Sequence, residues 1–308
     1  MVNMANQCLA CGASVTKIAN AVVAPWITEI SGQKDPQFTT LLNCDNCEFS
    51  FFEKRFSDNE MAAMYSGYRS DNYYAVRNSW EPWYRRTVND AYSGESDHVD
   101  ERVSFMTNIL ISAGLQECKT VVDFGGDEGQ FFPEIDIQER IVIDVSNKTL
   151  RKNVSREPSL GVVKDKIDLI VAAHIAEHVN DPIDFFTNLI SHLNSGSYLY
   201  VEVPMDRPSI KSHHGSEKYA EMLSRISTSS KRKFIAHDFA SGIARQFGFS
   251  IPKRGVVKQS EHLNYYNLKS ISMLLEKLGT TVLKTEATPN AKVGGLRLGR
   301  LGVLVVKN

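Results

Sequence analysis

The stretch Val121-Val122-Asp123-Phe124-Gly125-Gly126-Asp127-Glu128-Gly129 carries the fold of this chain. An apolar run that ends in Asp123 reads as a buried strand, and the glycines after it let backbone approach a ligand closely, which is how a nucleotide-binding β-α unit opens. A short helix is expected to follow the turn. About 20 residues further on, Arg140-Ile141-Val142-Ile143-Asp144-Val145 is a second apolar run, placed where a second strand presents the Asp144 carboxylate to ribose hydroxyls.

Downstream the pattern continues to alternate. Gly161-Val162-Val163 reads as a third strand, Ile167 to Ala173 as a fourth and Tyr198 to Pro204 as a fifth. An amphipathic helix from Asp184 to Leu193, closed by Asn194-Ser195-Gly196, separates the last two. Such alternation specifies a Rossmann-like α/β fold with a parallel-type sheet. Ligands of these sheets bind at the carboxyl ends of the strands near the switch point, where Gly125, Asp144, Ala173 and His174 gather. The helix Leu268 to Leu278 then leads to a closing pair of strands at Val282-Leu283 and Gly302 to Val306. An insertion over 205–260 carries helical spacing at Tyr219 to Leu223 and at Phe239 to Phe247, the pattern of a lid or a substrate-binding element.

Upstream, Cys8-Leu9-Ala10-Cys11 and Cys44-Asp45-Asn46-Cys47 are two C-x2-C knuckles. Each puts two thiolates on one tight turn, so the pair completes a tetrahedral zinc shell with no position open to water; the expected metal is structural zinc. A small hairpin is expected between the knuckles. Cys118 is expected as a packed thiol near the end of a helix that spans about Asp97 to Leu115. The segment from Tyr65 to Arg86 is dense in Tyr and Trp, which serve either as the wall of a ligand cleft or as packing between domains. The expected domains are a zinc-binding domain over 1–70, an aromatic-rich helical connector over 71–118 and the α/β domain over 119–308.

Composition bounds the partners. The 308 residues carry 42% hydrophobic and 23% charged side chains with a formal net charge of -1. That balance gives no whole-chain basic excess for nucleic acid, and no apolar run approaches the ~18 residues of a membrane span. Cytoplasm is the expected compartment.

With these residues in hand, the chain resembles the class I S-adenosylmethionine-dependent methyltransferases from about Val103 to its end. Val121 to Gly129 matches the family's glycine motif and Asp144 its ribose carboxylate. His174-Ile175-Ala176-Glu177-His178-Val179 matches the segment after the fourth strand. Glu261-His262-Leu263-Asn264-Tyr265-Tyr266 is similar to a segment of a branch in which some members also carry a double C-x2-C zinc domain, including sugar C-methyltransferases acting on nucleotide-linked keto sugars. The resemblance implies S-adenosylmethionine bound by Asp123, Gly125, Gly126, Gly129, Asp144, Val145, Ala173 and His174, and zinc on Cys8, Cys11, Cys44 and Cys47. It departs at Asp127, which stands where the family has its middle glycine; the added charge either favours the sulfonium or crowds the pocket.

Methyl transfer requires alignment, plus a base where the acceptor is a hydroxyl or an acidic carbon. His178 is the first candidate base, with Glu177 to orient it; His262 and Tyr265 are the next. The expected substrate is a sugar, either nucleotide-linked or a polysaccharide or natural-product intermediate, methylated on oxygen or carbon. A fold retained for binding after loss of activity is the rival reading, and a nucleic-acid methyltransferase is disfavoured by the near-neutral charge.

Overall fold

The computed structural model describes residues 7–33, 37–90, 97–146, 148–163, 166–205, 217–246, 255–293 and 296–308. In chain order the elements are β1 (Val15–Val23), α1 (Pro25–Ile30), β2 (Phe38–Cys44), β3 (Ser50–Phe52), α2 (Asp58–Tyr65), α3 (Asp71–Trp80), α4 (Arg86–Asn89) and α5 (Asp97–Ser112). Then come β4 (Glu117–Phe124), β5 (Asp136–Ile143), β6 (Ser155–Arg156), β7 (Leu169–Ala173), α6 (Pro182–Ser191) and β8 (Tyr198–Pro204). The last are α7 (Glu217–Ser229), α8 (Lys231–Gln246), β9 (Lys258–Gln259), β10 (Asn264–Tyr265), α9 (Leu268–Lys277), β11 (Thr280–Val293) and β12 (Leu296–Lys307). They fall into two compact units, one of Met1–Cys8, Gly12–Asp90 and Asp206–Tyr265, the other of Leu9–Cys11, Ala91–Met205 and Tyr266–Asn308.

The first unit is built on a sheet of order β10-β3-β2-β1-β9. β1 and β2 pair antiparallel, Val15 opposite Cys44 at one end and Val22 opposite Phe38 at the other, with α1 between them. Both outer strands come from the segment after β8: β9 lies parallel to β1 and β10 antiparallel to β3. Beside this sheet, Trp26, Ile27, Phe56, Met64, Tyr73, Tyr84 and Leu263 form a core. At its centre the Arg77 guanidinium lies 4.0 Å from the Tyr84 ring centroid and 4.8 Å from that of Trp26. Arg77 donates to Glu261 at 2.6 Å, to Glu81 at 3.1 Å and to the Tyr73 hydroxyl at 2.8 Å. Burial works against a charged guanidinium, but Glu261, Tyr73 and Glu81 outweigh it and hold Arg77 firmly protonated. Lys258 is half-buried alongside, paired with both Glu81 and Asp238.

The second unit holds a sheet of order β11-β12-β8-β7-β4-β5-β6. Its pairs from β6 across to β8 are parallel, while β12 runs antiparallel to both β8 and β11. This is the expected Rossmann-like α/β fold with an antiparallel closing strand. Val121, Val142, Leu169, Val171, Tyr200 and Leu304 pack with Met106, Ile109 and Leu110 of α5 in one core. Helix starts follow local chemistry: Asp181 caps α6 by accepting from the Ile183 and Asp184 amides, and Pro182 takes the first helical position, where a missing N–H costs nothing. Because β4 pairs β5 on one side and β7 on the other, the order reverses at β4, and it is outside the carboxyl end of such a strand that ligands of parallel sheets bind.

Three local expectations are corrected. No helix follows the glycine turn: residues 125–135 run through turns and bends directly into β5. Pro133 explains this, since it biases Phe132 away from the α region and offers no N–H to a helix. The third strand is Ser155–Arg156, and Leu160–Val162 is a turn of 3₁₀ helix. Cys118 lies within β4, where it is buried, rather than near a helix end. In the insertion, α7 and α8 bear out the helical spacing, while Phe247 lies outside the described residues.

Candidate active site

The glycine turn at the end of β4 is built by close approaches. A side chain at Gly125 would meet Ile175 Cδ1 at 2.2 Å, one at Gly126 would meet Asp123 Oδ2 at 2.4 Å, and one at Gly129 would meet Val154 Cγ1 at 2.9 Å. Gly125 and Gly129 also adopt positive φ. Asp123 is therefore roofed by Gly126, and its Oδ2 is buried with no hydrogen-bond partner. Burial raises its proton affinity, Arg102 opposes that and Asp144 adds to it, bringing the pKa up to about 7.

Asp144, just past the end of β5, accepts the Asp127 amide at 2.9 Å through one carboxylate oxygen and the Ser146 amide at 2.6 Å through the other. Asp127 has φ of +50°, in the left-handed region that glycine enters freely and aspartate tolerates better than most residues. Its carboxylate faces the β5–β6 connection, where it accepts from Ser146 Oγ at 2.9 Å and Lys148 Nζ at 2.7 Å. Val145, between these polar residues, is 85% exposed and offers an apolar surface at the strand end.

Beyond β7 a second constellation forms. His174, with φ of +59°, brings Nε2 to 3.0 Å from Glu202 and Nδ1 to 3.2 Å from Glu177, which lies 3.8 Å from His178 Nε2. Glu177 is buried, and the turn is closed by the His178 amide donating to the Ile175 carbonyl. Glu202 is buried within β8, accepting from Arg102 at 2.8 Å and from the Tyr200 hydroxyl at 2.9 Å. Burial pushes its carboxyl up, but Arg102, His174 and Arg300 outweigh that and hold it well below the usual carboxylate range.

Residues 100–285 match the profile of a family described as a methyltransferase domain. The chain belongs to that family. It is an S-adenosylmethionine-dependent methyltransferase of class I architecture. Among solved structures, it is similar to the 1,6-didemethyltoxoflavin-N1-methyltransferase of Burkholderia thailandensis, determined with 1,6-didemethyltoxoflavin and S-adenosylhomocysteine bound. The two are 11% identical over 88% of this chain and 96% of that one, with a TM-score of 0.45. It is also similar to the N-methyltransferase NodS of Bradyrhizobium japonicum WM9 in complex with S-adenosylhomocysteine, at 13% identity over 75% of this chain and 98% of that one, with a TM-score of 0.41. No curated protein matches the chain.

The methyltransferase's other singled-out residues are four cysteines, His262 and Tyr265. The sulfurs of Cys8, Cys11, Cys44 and Cys47 lie within 4.8 Å of one another, a separation that suits four ligands of one metal ion. The knuckles repeat one geometry: Gly12 and Glu48 follow them with positive φ and donate their amides to the Cys8 and Cys44 carbonyls, while the Cys8 and Cys44 amides donate to Ala13 and Phe49. His262 is half-buried, next to the Glu261 that holds Arg77. Tyr265 is buried in β10 with its ring edge-on to Phe52, 5.9 Å between centroids. The aromatic segment contributes Tyr73 and Tyr84 to this unit's own core around Arg77.

Sequence reasoning did not single out Glu202, Arg102, Ser146 or Lys148 as parts of the site. Glu202 had a signal: a carboxylate inside the otherwise apolar run of β8 must find a buried partner. Lys148 and Ser146 had none, because only the turn at Asp127 gives them a place.

Proposed function

We propose that this methyltransferase methylates a sugar, on oxygen or on an acidic carbon, with His178 as the base and Glu177 as its buried partner. The observation that carries this reading is Glu177, a buried carboxylate held between two imidazoles just beyond the β7 terminus. An imidazole backed by a carboxylate takes up a proton near neutral pH, as a hydroxyl or carbon acid requires in order to attack a methyl donor. The sugar, and within that class a nucleotide-linked one, rests on the Glu177-His178 and Glu261-His262 segments of the sequence. His262 is the second candidate base; Tyr265, packed against Phe52, is the third.

The cofactor fits the residues present. Asp123 and Asp144 converge at the switch point, one with an orphaned oxygen and the other held by two amides, and both suit a ligand that carries positive charge and ribose hydroxyls. Bound there, S-adenosylmethionine supplies an activated methyl group. Gly125, Gly126 and Gly129 let the turn pack against Ile175, Asp123 and Val154 at the edge of the proposed site, Val145 offers an apolar face, and Ala173 and His174 stand on the neighbouring strand end. The four cysteines hold a structural zinc ion, leaving no ligand position for chemistry.

A screen of nucleotide sugars with S-adenosylmethionine is expected to show one acceptor gaining the mass of a single methyl group. Turnover of that acceptor should fall at least about a hundredfold in His178→Ala. Undiminished turnover in both His178→Ala and His262→Ala refutes the assigned bases, and a product methylated outside the sugar refutes the substrate. Metal analysis of protein purified with reduced thiols is expected to give one zinc per chain; none removes the metal assignment.

A further inference from the structure

The turn that cradles the cofactor in the reading above lacks the helix that would ordinarily fix it. Residues 125–135 contain no helical turn, so no aligned helix amides stabilise the backbone after Gly129. Other contacts hold it. Arg156 of β6 donates through Nη2 to the Asp127 carbonyl at 2.8 Å and through Nη1 to the Lys148 carbonyl at 3.0 Å. The Arg151 amide donates to the Glu128 carbonyl at 2.9 Å. Lys148 Nζ lies 2.7 Å from Asp127 and 3.7 Å from Glu128. Ser146 holds both aspartates, its hydroxyl donating to Asp127 and its amide to Asp144.

Asp127 is thus bonded twice to the residues around Asp144: its amide donates to that carboxylate, and its own carboxylate accepts from Ser146 and Lys148. We infer that Asp127 is a positioning residue for the cofactor, its carboxylate clasped by Ser146 and Lys148 so that the glycine turn and Asp144 stay in register without a helix. The residue that breaks the glycine motif is the one that replaces the helix. A glycine at 127 would keep the left-handed backbone and lose the clasp. The inference rests on the cofactor reading above.

Calorimetric titration of the full-length, zinc-loaded protein with S-adenosylmethionine tests it, because Asp127→Gly separates the side chain from the backbone conformation. The dissociation constant is expected to rise about three- to tenfold in Asp127→Gly, similarly in Lys148→Gln, and less in Asp127→Asn, which keeps a bond to Ser146. The double variant Asp127→Gly with Lys148→Gln should bind no more weakly than Asp127→Gly alone, since both remove one interaction. The free Asp127→Gly protein should also exchange the amides of residues 127 and 146 faster with deuterium, at an unchanged melting temperature. Binding by Asp127→Gly as tight as in the native protein, or two single effects that multiply, overturns the positioning role and leaves the cofactor reading standing. Absence of binding by the native protein removes both.

Discussion

Arg77 in the first unit and Arg102 in the second are both buried guanidiniums held by carboxylates, yet they are used differently. Arg77 ties distant segments together: Glu81, Glu261 and Tyr73 take its donors, Tyr84 and Trp26 cover its faces, and Glu81 passes the pairing on to Lys258 of β9 and Asp238. Arg102 sits over Phe131 at 4.0 Å and holds Glu202, which passes the contact on to His174 and so to Glu177 and His178. The first cluster spends its burial on joining distant segments, and the second on orienting groups at the mouth of a parallel sheet. Buried charge therefore does not by itself mark a functional site.

The contrast can be broken by substitution. Arg77→Met should have the largest effect, because it removes the buried Glu261 carboxylate's cation and one of the two cations, with Lys258, that hold Glu81. A loss of about 4–5 kcal/mol is expected, with cofactor affinity unchanged. All three tryptophans, Trp26, Trp80 and Trp83, lie in the first unit, so urea unfolding followed by their fluorescence reads that loss directly. A weakened cofactor affinity in this variant would erase the distinction between the clusters.

Glu202→Gln should cost about 3 kcal/mol, since the amide keeps the shape of the carboxylate while leaving Arg102 without its counter-charge. Here the tryptophan transition should stay in place while amide exchange in β7 and β8 accelerates, and methyl-transfer turnover should fall with it.

Asp123→Asn should act in the opposite direction. The native carboxyl has an ordinary value of 3.8 when unfolded and about 7 when folded, so the folded state binds the proton more tightly. Its contribution is full below pH 4 and is lost as pH rises through 7; above that the protein holds an ionised carboxylate whose Oδ2 has no hydrogen-bond partner. The asparagine variant of the free protein should gain on the order of 2–4 kcal/mol over native at pH 8, and progressively less towards pH 4. A pH-independent difference between the two proteins would show that Asp123 does not titrate on unfolding.

The smallest expected effect compares the two knuckles. Gly12 and Glu48 occupy equivalent left-handed positions, so Glu48→Gly should stabilise the first unit by under about 1 kcal/mol and Gly12→Ala should destabilise it by about 1 kcal/mol. Denaturant midpoints of the zinc-loaded protein measure both.

These elements differ in how far the sequence announced them. The apolar runs of β4, β5, β7 and β8, the glycines at 125, 126 and 129 and the two C-x2-C pairs are local signals, and each stands where its pattern predicts. Pro133 is an equally local signal, and it argues against a helix after the turn. β6, β9 and β10 are two residues long and too short for any periodicity, so only tertiary pairing defines them. The union of the insertion with the first unit rests on such pairings and on Arg77, Glu81, Glu261 and Lys258, charged residues whose pairing no local pattern shows. Asp144 was legible as a strand-end carboxylate; its clasp with Asp127 was not, because it depends on where the chain turns after the strand.

The interleaving of the two units has a consequence for synthesis. Arg55 donates to Asn264 at 2.9 Å, a bond between residues 209 positions apart, and β9 and β10 cover the outer edges of β1 and β3. At about 5–20 residues per second, a ribosome needs roughly 10–40 s to make that intervening chain. Throughout that interval the two strand edges emerge without their partners, while the whole second sheet up to β8 is being made. The knuckles are complete long before, so metal uptake by the nascent chain would tie β1 to β2 and keep the unfinished sheet from pairing with a neighbour.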